Sequence, residues 1–298
     1  MIGRRSVLKN AGALLALGVT GLPAQADPAP APPAPGPALP APAFSRPGPP
    51  AGGAVQLTPA RVLNQSAIPV LGYKVVKTHP HDPSSYTEGL VKVGGTIYEG
   101  TGLYGRSRLL EWDLESGRVL RRLDLDQNYF GEGVTVMDGR IYQLTYLDNR
   151  AFVYDQATFG KIGELTYSNQ GWGLTHDGTH LIMSDGSSVI EYRDPKTFKK
   201  VREFFVADAV APVGFLNELE FAQGKLYANV WQTPYIAVID PAAGRLSAWI
   251  DLTGLNPEPK VLVYPYVLNG IAFEEASGNL LVTGKCWPHV WEIALVPR

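Results

Sequence analysis

Two glutamates stand in nearly the same local setting, Glu88 in Thr87-Glu88-Gly89-Leu90 and Glu132 in Gly131-Glu132-Gly133-Val134. In each, a glycine and an apolar run follow the carboxylate, which puts it at the mouth of a strand. A carboxylate fixed there can move a proton between two atoms of a bound molecule. Three related segments follow, Trp172-Gly173-Leu174, Asn217-Glu218-Leu219 and Asn269-Gly270-Ile271, so that the five lie 44, 40, 45 and 52 residues apart. They add an indole and two side-chain amides. Lys285, just past an apolar strand, adds a cation, and Trp231 before Gln232-Thr233-Pro234 adds a second indole. Together these are a proton carrier, donors for a developing oxyanion, and flat walls. Each also has a plainer reading: tryptophans as core, Glu132 as an acceptor of backbone amides, Lys285 reaching solvent, and Asn217 and Asn269 capping turns. Glu218 and Glu220 are expected to face alternate ways in a strand and to be structural.

The elements around these residues repeat with them. Each segment leads to a turn and a second strand, as in Asp138-Gly139 before Arg140-Ile141-Tyr142, or Gln223-Gly224 before Leu226-Tyr227-Ala228. Asp-Gly and its relatives supply the positive φ angles of two-residue hairpins. A third strand follows in every copy, and a fourth in the first four, for example Arg245 to Trp249. A period of 40 to 50 residues with four strands and no helical periodicity predicts an all-β fold, a five-bladed β-propeller. The fifth copy lacks a fourth strand, and an unassigned strand, Tyr73 to Lys77, precedes the first. Pairing the two closes the ring and removes two open edges.

Strand one lines the shaft and strand two runs back beside it. The starts of the first and the ends of the second therefore share one face. That face collects Tyr86, Glu88, Glu132, Trp172, Asn217 and Asn269 with Tyr104, Tyr146, Trp231 and Lys285.

Composition narrows the functional classes. With 26 Lys and Arg against 28 Asp and Glu the net charge is −2, which gives no basic footprint for nucleic acid or an anionic membrane. The single cysteine, Cys286, excludes an internal disulfide and a multi-thiolate zinc site. Residues 1–26 have a basic head (Arg4, Arg5, Lys9), a short apolar middle and Ala24-Gln25-Ala26, the pattern of an export signal. The paired arginines resemble a twin-arginine signal, with an ordinary Sec signal as the alternative. The apolar run is too short for a permanent span. Residues 27–67 form a Pro/Ala-rich linker, with eleven prolines between Pro28 and Pro50. The folded domain is expected over 68–298, in a periplasmic or secreted monomer.

Several segments carry a resemblance. Thr101-Gly102-Leu103-Tyr104-Gly105, Tyr129-Phe130-Gly131-Glu132-Gly133, Gly171-Trp172-Gly173-Leu174-Thr175 and Met183-Ser184-Asp185-Gly186-Ser187 come first. Leu216-Asn217-Glu218-Leu219-Glu220, Asn229-Val230-Trp231-Gln232-Thr233 and Thr283-Gly284-Lys285-Cys286-Trp287-Pro288 follow in order. From about Tyr73 onward the chain resembles the plant and bacterial type of glutaminyl cyclase. The resemblance implies a five-bladed propeller that cyclises the N-terminal glutamine of peptides to pyroglutamate, releasing ammonia without a catalytic metal. It matches Glu132, Trp172, Asn217, Trp231 and Lys285 to the family's active-site positions; Glu132, Asn217 and Lys285 are then expected to be catalytic, and Trp172 and Trp231, with Glu88, Tyr86 and Tyr146 from the same rim, to bind substrate. The family's usual Phe-Thr-Gln-Gly-Leu is here Tyr86-Thr87-Glu88-Gly89-Leu90, and Tyr146 stands where tryptophan is common. Peptides or proteins with N-terminal glutamine are the expected partners. No cofactor is expected, although the shaft could hold a structural cation.

Two other classes fit the same rim. One is a non-catalytic propeller that binds a peptide. The other is a calcium-dependent lactonase-type hydrolase, for which Glu88, Glu132, Asn217 and Asn269 offer oxygen ligands. Such enzymes usually have six blades, and Lys285 would repel the ion. His79, His81, His176 and His180 sit by loops and turns and are not expected to form a metal site.

Overall fold

The computed structural model describes Val62, residues 68–256 and residues 266–298. The leader over 1–26 and all of the 27–67 linker except Val62 lie outside the described residues. The protein is all-β, and no helix of the described residues is long and apolar enough to cross a membrane.

A first strand, β1 (Val70–Pro80), precedes a series of antiparallel meanders. The first meander is β2 (Thr87–Val93), β3 (Thr96–Thr101), β4 (Arg108–Asp113) and β5 (Val119–Asp124). The second is β6 (Gly131–Met137), β7 (Arg140–Thr145), β8 (Arg150–Asp155) and β9 (Lys161–Thr166). The third is β10 (Leu174–His176), β11 (Leu181–Ser184), β12 (Val189–Arg193) and β13 (Lys200–Phe205). Then come β14 (Leu216–Ala222), β15 (Lys225–Val230), β16 (Tyr235–Asp240) and β17 (Arg245–Asp251), followed by β18 (Leu268–Glu274), β19 (Asn279–Gly284) and β20 (His289–Pro297).

The hairpin glycines behave as their sequence suggests. Asp138 and Gly139 have φ of 52° and 70°, and Gln223 and Gly224 have 51° and 74°, the left-handed pair a tight two-residue turn requires. In the first three meanders burial falls from the inside strand to the outside one. Every residue of β6 is buried, whereas β5, β9 and β13 alternate between exposed and half-buried.

The β1 strand pairs antiparallel with β20 from Leu71↔Pro297 to Pro80↔His289. It also meets β17 in parallel at Val70↔Trp249 and Leu71↔Ile250. Separate four-stranded sheets were expected throughout, but β14–β17 and β18–β20 are joined through β1 into one eight-stranded sheet. The burial of β17 explains the junction. Unlike the other fourth strands it presents buried Trp249 and Ile250, a surface that β1 covers. The first strands of the meanders lie side by side: β2 touches β6 and β18, β10 touches β6 and β14, and β14 touches β18.

Candidate active site

Close contact between inner strands begins with glycine. A Cβ on Gly89 would collide with the backbone of Gly133 and Val134, one on Gly133 with Trp172, Gly173 and Leu174, and one on Gly173 with Asn217. Gly133 N also donates to Trp172 O at 2.8 Å. On the remaining side, Gly270 N donates to Asn229 Oδ1 at 2.9 Å. The residues just before or after these glycines are therefore gathered at one end of the inner strands.

The centre of that end is a buried charge cluster. Lys285 Nζ donates to Glu88 Oε1 at 2.6 Å, with both side chains about 95% buried or more. Asn269 Nδ2 donates to Glu88 Oε2 at 3.2 Å and to Thr87 O at 3.0 Å. The carboxyl groups of Glu88 and Glu132 are close enough to act electrostatically on one another. Burial pushes both upward. For Glu88 the nearby ammonium of Lys285 opposes the rise, whereas the charge of Glu88 adds to that of Glu132, which ends well above the usual carboxylate range. Of the two carboxyls, Glu88 is the one held against the Lys285 amine, and Glu132 is the one pushed further towards its protonated form.

Aromatic rings enclose the cluster. Lys285 Nζ lies 4.6 Å from the centre of the Tyr86 ring. Phe130, absent from the sequence-based site, packs edge-on to Tyr86 at 6.2 Å and against Tyr104 and Tyr146 at 5.5 and 5.8 Å. Its signal was its place two residues before Glu132. Burial and the charges of Glu132, Tyr104 and Glu88 push the Tyr146 hydroxyl up to about 12, so it remains a donor at neutral pH. Trp172 and Trp231 meet edge to face at 5.7 Å and 81°, with Phe215 beyond Trp231. Trp172 is buried and its Nε1 donates to Gln170 Oε1 at 3.0 Å; Trp231 is partly exposed.

Asn217 is buried at the start of β14, and its side-chain oxygen has no partner among the described residues. Its backbone oxygen accepts from Ser184 Oγ at 2.7 Å, which fixes it beside Gly173 and hence beside Trp172. A buried acceptor without a partner is costly unless something that enters the site supplies one.

Glu218 and Glu220 depart from expectation. Two residues apart in one strand, they serve the same side rather than alternate ones. Glu218 accepts from Leu90 N at 3.1 Å and Ile271 N at 2.8 Å, and Glu220 accepts from Phe273 N at 3.1 Å. Both are structural, as expected, but they brace neighbouring inner strands. Burial, and for Glu218 also the charge of Glu220, pushes them up, Glu220 to about 8.

A second network that the sequence did not reveal supports the Glu88–Lys285 pair. Glu99, fully buried, accepts from Thr87 Oγ1 at 2.8 Å, Trp112 Nε1 at 3.0 Å and Ser85 Oγ at 3.4 Å. His81 bridges Glu99 Oε1 at 3.2 Å and Trp287 O at 2.7 Å, and Cys286 N donates to Ser85 O at 2.7 Å. The chain on either side of Lys285 is so tied to the chain leading into Glu88. Burial alone would lower the His81 pKa, but the charge and hydrogen bond of Glu99 outweigh it and leave it raised. Cys286 is no nucleophile at neutral pH, since burial pushes its thiol up to about 11. Among the described residues no group of three or more His, Cys, Asp or Glu is arranged to hold a metal ion.

The fold is thus one of repeated antiparallel meanders whose inner strands hold two buried carboxyls beside a lysine within aromatic walls. Comparison with known proteins identifies the family. The family model described as glutamine cyclotransferase matches residues 52–295, and the chain belongs to that family. It is 40% identical over 228 residues to the glutaminyl-peptide cyclotransferase of Arabidopsis thaliana, covering 74% of this chain and 71% of the relative. The crystal structure of Myxococcus xanthus glutaminyl cyclase matches with a TM-score of 0.70 and 32% identity, over 78% of this chain and 99% of the other.

Proposed function

We infer that the protein is a glutaminyl-peptide cyclotransferase, which converts an N-terminal glutamine to pyroglutamate and releases ammonia. The observation that carries this is a buried, interacting Glu88–Glu132 pair beside Lys285 in a chain of the glutamine cyclotransferase family. The α-amine nitrogen attacks the side-chain amide carbon, a C–N bond forms, and the C–NH₂ bond breaks. The amine loses one proton and the leaving nitrogen gains one. Glu132 is suited to move that proton, because its raised pKa brings it towards the range where it can both give and accept. Lys285 and Asn217 are suited to stabilise the tetrahedral oxyanion and to hold the amide, Asn217 offering its unpartnered oxygen to an amide N–H. Trp172 and Trp231, with Tyr86 and Tyr146, supply walls that hold the folded side chain in its five-membered approach.

The fold in this reading is a five-bladed propeller closed by β1. Its support is the cyclic order of side-by-side first strands, β2, β6, β10, β14, β18 and again β2, with the β1–β20 ladder supplying the last blade's outer strand. The reaction needs no redox or metal chemistry, and the Lys285 ammonium already rests on Glu88, where a calcium ion would need the carboxylate. The leader-like residues favour a periplasmic or secreted protein beginning near Asp27, which N-terminal sequencing checks; we read it as a monomer, which gel filtration checks. The deciding assay is ammonia release from a neutral glutaminyl dipeptide with and without EDTA. Equal release in both supports the reading; no release from any glutaminyl peptide overturns it in favour of a binding module.

A further inference from the structure

A cleft of about 540 Å³ opens beside the site, lined by Ser84, Gly105, Arg106, Ser107, Arg108 and Arg122, with Asp124 and Leu125. Three guanidinium groups against one carboxylate is an unusual local balance for a chain whose net charge is −2. Arg122 is engaged, its Nε and Nη2 donating to Asp124 Oδ1 at 2.8 and 2.6 Å. Arg106 and Arg108 form no ion pair among the described residues; Arg108 Nε donates only to Arg106 O, at 3.4 Å. Two cations are thus left facing an open cleft.

The cleft is joined to the reactive end by short, ordered connections. Gly102 lies against Glu88 and Phe130, and Gly105 follows three residues on, at most roughly 11 Å of chain. Ser107 Oγ donates to Leu103 O at 2.9 Å and accepts from Gly131 N at 2.9 Å, which ties the cleft wall to the residue before Glu132. Arg106 is close enough to Cys286, the neighbour of Lys285, for its charge to act on that thiol. A peptide whose first residue reaches Glu88 has its next two or three residues within reach of this cleft, at roughly 3.3–3.6 Å per residue.

We propose that the Arg106–Arg108 cleft is a substrate subsite that recognises a carboxylate on the second to fourth residue of the peptide. This rests on the cyclotransferase reading and deepens it: the preferred substrates are acidic peptides. Arg is suited to the role because its planar fork binds carboxylate in two parallel hydrogen bonds. Each partly exposed pair of this kind strengthens recognition by roughly threefold to fivefold at low salt, and less as salt rises.

The test compares kcat/KM for Gln-Ala-Ala-Ala-amide with the same peptide bearing Asp or Lys at positions two, three or four. A further arm uses the unamidated neutral tripeptide, which separates a side-chain carboxylate from a C-terminal one. The wild-type protein should favour Asp over Ala by about fivefold or more and disfavour Lys, with the gap narrowing at high salt. Arg106→Gln and Arg108→Gln should each remove most of the gap and leave the neutral peptide unchanged. If the neutral peptide is cyclised with no Asp preference, the subsite is wrong and the activity stands. If only the free C-terminal carboxylate is favoured, the side-chain assignment is overturned. If no peptide is cyclised, the cyclotransferase reading itself fails.

Discussion

Replacing Glu88 by glutamine restores the neutral amide usual in the family and separates the roles of the two carboxyl groups. In the cluster Glu88 pairs with Lys285, and Glu132 is the carboxyl pushed further towards its protonated form. In Glu88→Gln the ammonium of Lys285 still needs a counter-charge, and Glu132 can ionise to provide it. Neutrality is kept, so no stranded charge is created. Stranding a buried charge would cost about 3–5 kcal/mol. At about 2–4 °C per kcal/mol for a domain this size, that is roughly 10 °C, so a loss below about 4 °C is expected instead. Activity should change more. The reacting complex needs one proton fewer than protonated Glu132 plus the substrate's ammonium, so below both pKa values its population rises tenfold per pH unit. Removing the charge of Glu88 from beside Glu132 lowers the pKa of Glu132. The acid limb of kcat/KM should therefore move to lower pH, so that Glu88→Gln outperforms the wild-type protein at pH 6. Glu132→Gln keeps the Glu88–Lys285 pair and the fold but has no titrating group, so kcat should fall by about 10²–10⁴. Ammonia release between pH 5 and 9, with melting curves for each variant, measures all of this. Equal kinetic effects of the two substitutions, or an acid limb that stays in place in Glu88→Gln, would refute the assignment of the proton to Glu132.

Other outcomes follow from the bracing of the inner strands. Glu220 has its pKa raised to about 8 in the folded protein, so folding favours its protonated form. That contribution is complete at low pH, below the unfolded value near 4.3, and is lost as pH climbs towards 8, by up to about 1.4 kcal/mol per unit. Glu220→Gln keeps an oxygen for Phe273 N and should flatten the fall in melting temperature between pH 5 and 8; an unchanged slope would count against this. Gly133→Ala forces a methyl into the backbone of the next inner strand and should cost about 1–3 kcal/mol or more, whereas Gly95→Ala, with open space around it, should be near neutral in the same melts. Deleting residues 68–78 should bare the edge of β20 and cause aggregation, measured by light scattering; a soluble, cooperatively melting product would argue against closure by β1.

The repeat was legible because each meander restates the same turn chemistry, and Asp138-Gly139 or Gln223-Gly224 mark hairpins without outside help. The gathering of Glu88, Glu132 and Lys285 followed from strand polarity alone. What stayed hidden depends on contacts between distant segments. Nothing near His81 announces that it bridges Glu99 to Trp287 O, 206 residues away. The parallel β1–β17 junction was equally silent, because a buried Trp249 looks the same whatever covers it. Glu218 and Glu220 were misjudged by a simple parity slip, and only the inner-strand amides they brace show their purpose.

The pair at the heart of the site joins residues 197 positions apart, Glu88 near the start of the first meander and Lys285 just ahead of the final strand. Catalytic competence is then a property of the finished assembly and of no smaller piece. During synthesis, Glu88 has no lysine to face until almost the whole chain has been made, and Lys285 is not held in place until its flanking turn docks on Ser85 and His81. A nascent or partly unravelled molecule should be silent rather than weakly active. The turnover assay would then report conformational integrity, falling when the two end segments part even while the middle sheets keep their spectroscopic signal.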